Sequence, residues 1–250
     1  MVQSALFLSV TALVACALGL ALQSCGHLVF RRHGRADTRD YAAVLGLRIA
    51  ALFSIVAGLI VNSTYEEYAD TRRALLAETS TLGTLHSLAG TLPPARATET
   101  RAHIVAYLGR VIDELAGEQQ GHARMARASH ELYALCEHSP EDPDGAWTLG
   151  EYHRTCSALV DLRGQRIGRV MEDEQERLPL AFFLFTSLAA LALLLGVFER
   201  TRLHLALSAM FYLVAGLTFA LIYGLSEPFH GPLAIDAAPL LRLAQDLNVE

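Results

Sequence analysis

Four apolar stretches mark the chain, at roughly 5–30, 42–64, 178–198 and 203–225, each long enough to cross a hydrocarbon core of ~30 Å. Only the short charged linkers RRHGRADTRD and ERTRLH separate the first from the second and the third from the fourth. That spacing predicts two helical hairpins. Between them lie residues 65–177, where charged positions dominate and apolar ones recur at helical intervals.

The second stretch ends in an unusual way. In LIVNSTYEEYADTRRALLAE, residues 59–78, hydrocarbon gives way to charge with no Pro or Gly between them. The helix is therefore expected to leave the lipid and continue. Tyr68, Leu75, Leu82, Leu85 and Leu88 carry the apolar stripe onward until Pro93-Pro94 stops it. A helix from 42 to 91 would be ~75 Å long, and less than half of that is needed to span a bilayer.

Ile104, Leu108, Val111 and Leu115 predict the next amphipathic helix, and Met125, Ser129, Leu132 and Cys136 another. SPEDPDG breaks the pattern. Leu149, Tyr152, Cys156, Leu159, Ile167 and Val170 then predict a helix leading into the third apolar stretch, with Pro179 expected in that span's first turn. Nothing alternates as a strand does. The expectation is an all-α, four-span integral membrane bundle with a helical extramembrane domain. It divides into a hairpin (1–64), a polar helical domain (65–177), a second hairpin (178–226) and a C-terminal segment with a short amphipathic helix (227–250).

Composition agrees: the 250 residues are 52% hydrophobic and only 18% charged, too apolar for an ordinary soluble domain. The net charge of −6 argues against nucleic acid, which needs a basic footprint. Every basic side chain is Arg. Their distribution leaves orientation open, since Arg31, Arg32, Arg35, Arg39, Arg200 and Arg202 in the linkers balance Arg72, Arg73, Arg163, Arg166, Arg169, Arg177 and Arg242 on the other side. LQSC, ending at Cys25, has the outline of a lipoprotein cleavage site, but MVQS carries no Lys or Arg and the apolar run exceeds a signal core, so no cleavage is expected.

No phosphate loop, nucleophile elbow or metal-ligand spacing is present, and His153-x-x-Cys156 with the scattered His122, His130 and His138 reads as ordinary surface or core histidine. No cofactor, no metal site and no enzymatic activity are expected. Cys16 and Cys25 are expected to pack within the first span. Cys136 and Cys156 read as free buried thiols, with a disulfide as the alternative in an oxidising compartment. Arg48 is expected to snorkel to the interface. Leu52, Val56 and Ile60 lie at i, i+4 and i+8 just before Asn62. Repeated in several subunits they would form an apolar constriction; in a single chain they would pack against the third span. Glu66, Glu67 and Asp70 either form an acidic ring or are the solvated start of an exposed helix, with Arg73 at i+3 of Asp70.

NSTYEEYADTR, from Asn62 to Arg72, resembles the bestrophin signature Asn-x-Ala-Tyr-Asp-Arg-Trp-Trp-Glu-Gly-Arg. Asn62, Tyr65, Glu66, Tyr68, Asp70 and Arg72 stand at matching positions; Glu67, Ala69 and Thr71 depart from it. EPFHGPL, with Pro228, Phe229 and Gly231, resembles the Asn-Pro-Phe-Gly segment, His230 being inserted. From about residue 42 onward the order of LAETSTLGTLHSLAGTLP, RAHIVAYLGRVIDEL and DLRGQR is similar to the bacterial bestrophin-like family of membrane proteins. That resemblance implies a homo-oligomeric, pentameric ion channel in a bacterial inner membrane, with the second span around the axis, residues 65–177 in the cytoplasm, and lipid and inorganic ions as its partners. It places Asn62, Tyr65, Glu66, Asp70 and Arg72 just inside a neck. The acidic run that clasps calcium in animal bestrophins is reduced here to Asp236, so no calcium site is expected. An acidic ring points to cations. The alternative is a non-conducting membrane-anchored module whose 65–177 helices dock or sense a soluble partner.

Overall fold

The computed structural model describes residues 2–30, 36–116, 128–133, 135–136, 146–198, 201–229 and 232–248. All regular structure among them is helical. The elements are α1 (Val2–Phe30), α2 (Ala36–Ala89), α3 (Pro94–Ala116), a short α4 (helical at 128–133 and 135–136), α5 (Ala146–Leu195), α6 (Arg202–Ser226) and α7 (Ala238–Asn248). The all-α fold with long apolar helices is as the periodicity predicts.

Two helices are far longer than a bilayer requires. α2 runs unbroken for 54 residues, about 81 Å at 1.5 Å per residue, and α5 for 50. α5 passes straight through Pro179, so the third apolar stretch continues a polar helix and does not begin with its own first turn. Pro179 lacks an N–H and removes one helical bond there, and the turns on either side carry the helix past it. Pro94, by contrast, does open a helix, at the first position of α3, where the missing N–H costs nothing. Among the described residues three helices are long and apolar enough to cross a membrane, Ala5–Phe30, Arg39–Ala89 and Arg202–Ser226; a shorter apolar stretch, Leu180–Leu195, would span about 24 Å by itself.

The chain divides into two compact units. The first comprises Met1–Glu67, Asp173–Glu227 and Gly231–Leu233. Within it α1 and α6 pack closely because small residues let them: a Cβ on Gly19 would lie 2.5 Å from the Tyr212 ring. Polar groups caught between them are paired. Buried Gln23 reaches His204 Nε2 at 2.9 Å and Ser208 Oγ at 3.3 Å, and Thr201 caps α6 by accepting from the His204 N–H. Cys16 contacts the Ala209 carbonyl, as a packing residue would, but Cys25 is exposed, because it falls on the outer face of α1. The other cluster joins Phe53 and Ala57 of α2 to Leu184 of α5 and Ala215 of α6, with the Phe185 and Phe219 rings stacked beside it at 4.6 Å.

The second unit comprises Tyr68–Glu172, Pro228–His230 and Ala234–Glu250. Its core is built from the expected stripes: Leu75, Leu82 and Leu85 of α2, Ile104, Leu108 and Val111 of α3, Leu132 of α4, and Tyr152, Cys156 and Leu159 of α5. α7 closes it with buried Leu240, and Leu243, Ala244 and Leu247 pack alongside. Each fully buried Leu contributes about 1.5–3 kcal/mol, so this unit has a hydrophobic core of its own.

Candidate functional site

α2 presents two opposed faces in the first unit. On one, Phe53, Ala57 and Thr64 are buried, and Val56 and Ile60 are half-buried against the cluster formed with Leu184, Leu188, Ala215, Phe219 and Ile222. The other face is open. Leu52, Ile55 and Leu59 are 55%, 61% and 66% exposed, and exposed Asn62 and Glu66 continue the same line. The steps from 52 to 55, 59, 62 and 66 alternate three and four, which keeps all five side chains on one side of the helix. Asn62 Nδ2 donates to Glu66 Oε1 at 2.9 Å, so the two polar residues are one bonded pair. Tyr65 is also exposed.

The constriction expected at Leu52, Val56 and Ile60 is therefore split. A strict four-residue spacing drifts about 40° per step around a helix, which carries Val56 and Ile60 from the open face onto the packed one. The register could have been read from the polar residues: Ile55 and Leu59 stand seven residues before Asn62 and Glu66, hence on their face. Arg48 is exposed.

Asp70 and Arg72 belong to the second unit. Asp70 pairs with Arg73 at 2.9 Å, with Arg73 largely exposed, so that bond contributes at most about 1 kcal/mol. Arg72 is exposed. Pro228 and Phe229 form a turn in which the Ile235 N–H donates to the Pro228 carbonyl at 2.7 Å; Gly231 lies outside the described residues.

The second unit also holds a charged centre that the sequence reading did not single out. Glu78 of α2, Glu114 of α3, and Arg163 and Arg166 of α5 are 0%, 8%, 2% and 1% exposed. Arg163 Nη2 meets Glu114 Oε2 at 2.8 Å, Arg166 Nη1 meets Glu114 Oε1 at 3.2 Å, and Arg166 Nε lies 3.1 Å from Glu78 Oε2. The Tyr107 hydroxyl donates to Glu78, and Arg163 Nε donates to Ser129 Oγ at 3.1 Å. Two cations and two anions leave no net charge. Arg166 Nη2 has no acceptor among the described residues, and the guanidinium carbon stands 5.9 Å from the Phe229 ring centroid, which supplies a cation–π contact instead.

Environment moves several titrations here. Burial, then the Glu78 charge, pushes the Tyr107 phenol far above its ordinary value. Burial by itself would lower Arg163, but Tyr107 and Glu114 overcome it and raise the guanidinium further. The thiols of Cys136 and Cys156 hydrogen-bond each other; that bond lowers Cys136 and raises Cys156. Both are free thiols, Cys156 buried and Cys136 half-buried. Among the described residues no group of three or more His, Cys, Asp or Glu side chains is arranged to hold a metal ion.

A signal for the charged centre was present. Arg163 and Arg166 continue the stripe of Tyr152, Cys156 and Leu159, and Glu78 falls between Leu75 and Leu82. A charge at a core position of a helix is either a register error or a paired ion.

A family model for the Bestrophin-like domain matches residues 13–240. Solved structures similar to this chain include a single-substitution variant of a bacterial bestrophin homologue from Klebsiella pneumoniae, 17% identical over 95% of this chain and 97% of that one, with a TM-score of 0.63. Another structure of a Klebsiella pneumoniae homologue is 19% identical over 95% and 94%, with a TM-score of 0.54. A further variant, described as a membrane protein, is 16% identical over 94% and 97%, with a TM-score of 0.61. No curated protein sequence matches the chain.

Proposed function

The chain belongs to the bestrophin-like family, and from that premise we propose that this membrane protein is a homo-oligomeric ion channel of the bacterial inner membrane, with ions passing along an axis lined by α2. The observation that carries the reading is the open face of α2. An apolar line, Leu52, Ile55 and Leu59, runs directly into Asn62 and Glu66 on the same side of one helix. A face built only for lipid has no use for a bonded Asn–Glu pair in its own line. A face gathered around an axis does: the apolar residues form a constriction that closes by drying, and the polar pair wets its mouth.

Ile55 and Leu59 replace Val56 and Ile60 as the neck side chains in this proposal, with Leu52 retained. Val56 and Ile60 support the neck from behind through Leu184 and Phe219. Glu66 supplies the acidic ring, because Asp70 already pairs with Arg73. The proposed preference is for cations. A pentamer, four spans and a cytoplasmic position for 65–177 come with the family resemblance and belong to the same proposal.

Purified protein in a planar bilayer is expected to give selective conductance. Leu59→Ala should raise open probability, and Ile60→Ala should act chiefly on stability. A silent oligomer across a range of salts and pH removes the channel reading. A monomeric particle has no shared axis and leaves the docking-module reading in its place.

A further inference from the structure

In the second unit a cavity of about 230 Å³ opens between the Arg72–Leu76 stretch of α2 and the Ile235–Arg242 segment that leads into α7. We propose that it is a binding site for a phosphate group. The inference rests on binding chemistry alone and stands or falls separately from conduction.

Arg72 and Arg242 both line the cavity, and neither guanidinium has a hydrogen bond or ion pair to another described residue. Neighbouring Arg73 differs, being held by Asp70 at 2.9 Å. The carboxylate lining the same cavity, Asp236, is engaged elsewhere: its Oδ1 accepts the Ala238 N–H at 2.8 Å and fixes the start of α7. No ion pair joins Asp236 to either arginine among the described residues. Two forked donors therefore line one space, with no described carboxylate paired to either.

The walls suit an anion carried on a short organic stem. Leu75 and Leu76 on one wall and Ile235 and Pro239 on the other add apolar groups beside the arginines, and Leu75 belongs to the buried core. A guanidinium–phosphate bond is charge-assisted and stronger than a neutral one. The volume corresponds to roughly seven or eight water molecules at about 30 Å³ each. A carboxylate offers two oxygens and satisfies a single fork. A phosphate offers three or four around a tetrahedron and can bridge guanidinia from opposite walls, which is the geometry arginine serves well. Two arginines and one aspartate leave a local charge of +1, so an anion is favoured overall.

Such a group could come from an anionic lipid headgroup or from a soluble phosphate, and one experiment separates them. Full-length protein is placed in nanodiscs of phosphatidylcholine alone or with phosphatidylglycerol, and radiolabelled inorganic phosphate is titrated by equilibrium dialysis against an ionic-strength-matched chloride background. One saturable phosphate per chain is expected in phosphatidylcholine. Arg72→Gln and Arg242→Gln should each weaken it about tenfold or more, and Arg73→Gln should leave it unchanged. All three side chains are exposed, so the fold is not at stake. Loss of phosphate uptake in discs containing phosphatidylglycerol assigns the site to a headgroup; retention assigns it to a soluble phosphate. Absence of saturable binding in phosphatidylcholine, or binding that survives both substitutions, overturns the proposal.

Discussion

Replacing Glu114 with Gln tests whether the charged centre of the second unit works as a balanced set. Glu114 serves two buried cations through separate oxygens, Arg163 at 2.8 Å and Arg166 at 3.2 Å. Gln keeps the shape but turns one of those oxygens into an N–H donor aimed at a guanidinium. It also changes the buried charge from zero to +1. Removing one member of a buried ion pair costs about 3–5 kcal/mol, because the remaining charge stays desolvated. That is a large part of the ~5–15 kcal/mol that holds a typical domain together. The assay is amide hydrogen exchange on the full-length protein, read on α3 and α5. At about 1.4 kcal/mol per factor of ten, exchange there should quicken by roughly two to three and a half powers of ten. Glu151→Gln is the control: its partner Arg154 is exposed, and exchange should barely change. Removing Glu114 and Arg163 together, both to Met, restores neutrality by leaving Glu78 with Arg166, and should recover much of the loss. If Glu114→Gln exchanges within threefold of the parent, or the double variant fares worse than the single, charge balance is not what holds these helices.

Three other outcomes follow from the geometry. Cys136 should be alkylated ahead of Cys156 at pH 8, because the Cys156 hydrogen bond lowers Cys136 and favours its thiolate while burial shields Cys156; Cys156→Ala should shift the Cys136 rate profile to higher pH, and mass spectrometry of the modified peptides checks both. Gly196→Ala would set a Cβ 2.5 Å from the His27 backbone nitrogen and 2.6 Å from the Gln23 carbonyl oxygen, a clash with backbone costing about 1–3 kcal/mol, visible as a lower thermal midpoint in detergent. Gly83→Ala meets nothing within 4 Å at a half-buried position of α2 and should instead raise the midpoint, since Ala favours a helix over Gly by about 1 kcal/mol.

Much of this fold could be read from periodicity because helices report their buried face every three or four residues. The stripe at Leu75, Leu82 and Leu85, the pair Ile104 and Leu108, and the run Tyr152, Cys156 and Leu159 all became core. The continuation of α2 past Asn62 followed from the lack of any breaker. Pro179 misled, because a proline limits a helix only when the neighbouring turns fail to hold it, and that depends on packing that one sequence does not display. The charged centre is not singled out by the sequence alone: Arg163 and Arg166 enter as charges only in the balance of arginines across the spans, and Glu78 and Glu114 belong to no catalytic or metal-binding motif. Only their positions on the apolar stripes mark them. Nor could the Arg72–Arg242 cavity be read in advance: its walls are some 170 residues apart in the chain, and nothing local ties them.

The register of α2 shows how a small angular difference decides a functional reading. Leu52, Val56 and Ile60 satisfy a four-residue rule, and Leu52, Ile55 and Leu59 satisfy a three-and-four rule; both begin from the same leucine. Over eight residues the first line turns by about 80° and the second by about 20° over seven in the opposite sense. Only the second ends in line with Asn62 and Glu66. The first carries Val56 and Ile60 against Leu184, Leu188 and Phe219, where truncation would open a packing defect. Substitutions on the two lines should therefore separate two properties that a single apolar stripe would confound. Leu59→Ala alters the open face and should change conductance with little loss of stability, because its side chain is 66% exposed in the single chain. Ile60→Ala removes half-buried methyl groups and should lower stability while leaving ion selectivity as it was. If instead Ile60→Ala opens the channel and Leu59→Ala does nothing, the open face is a lipid face, and the constriction lies on the Val56–Ile60 side of α2.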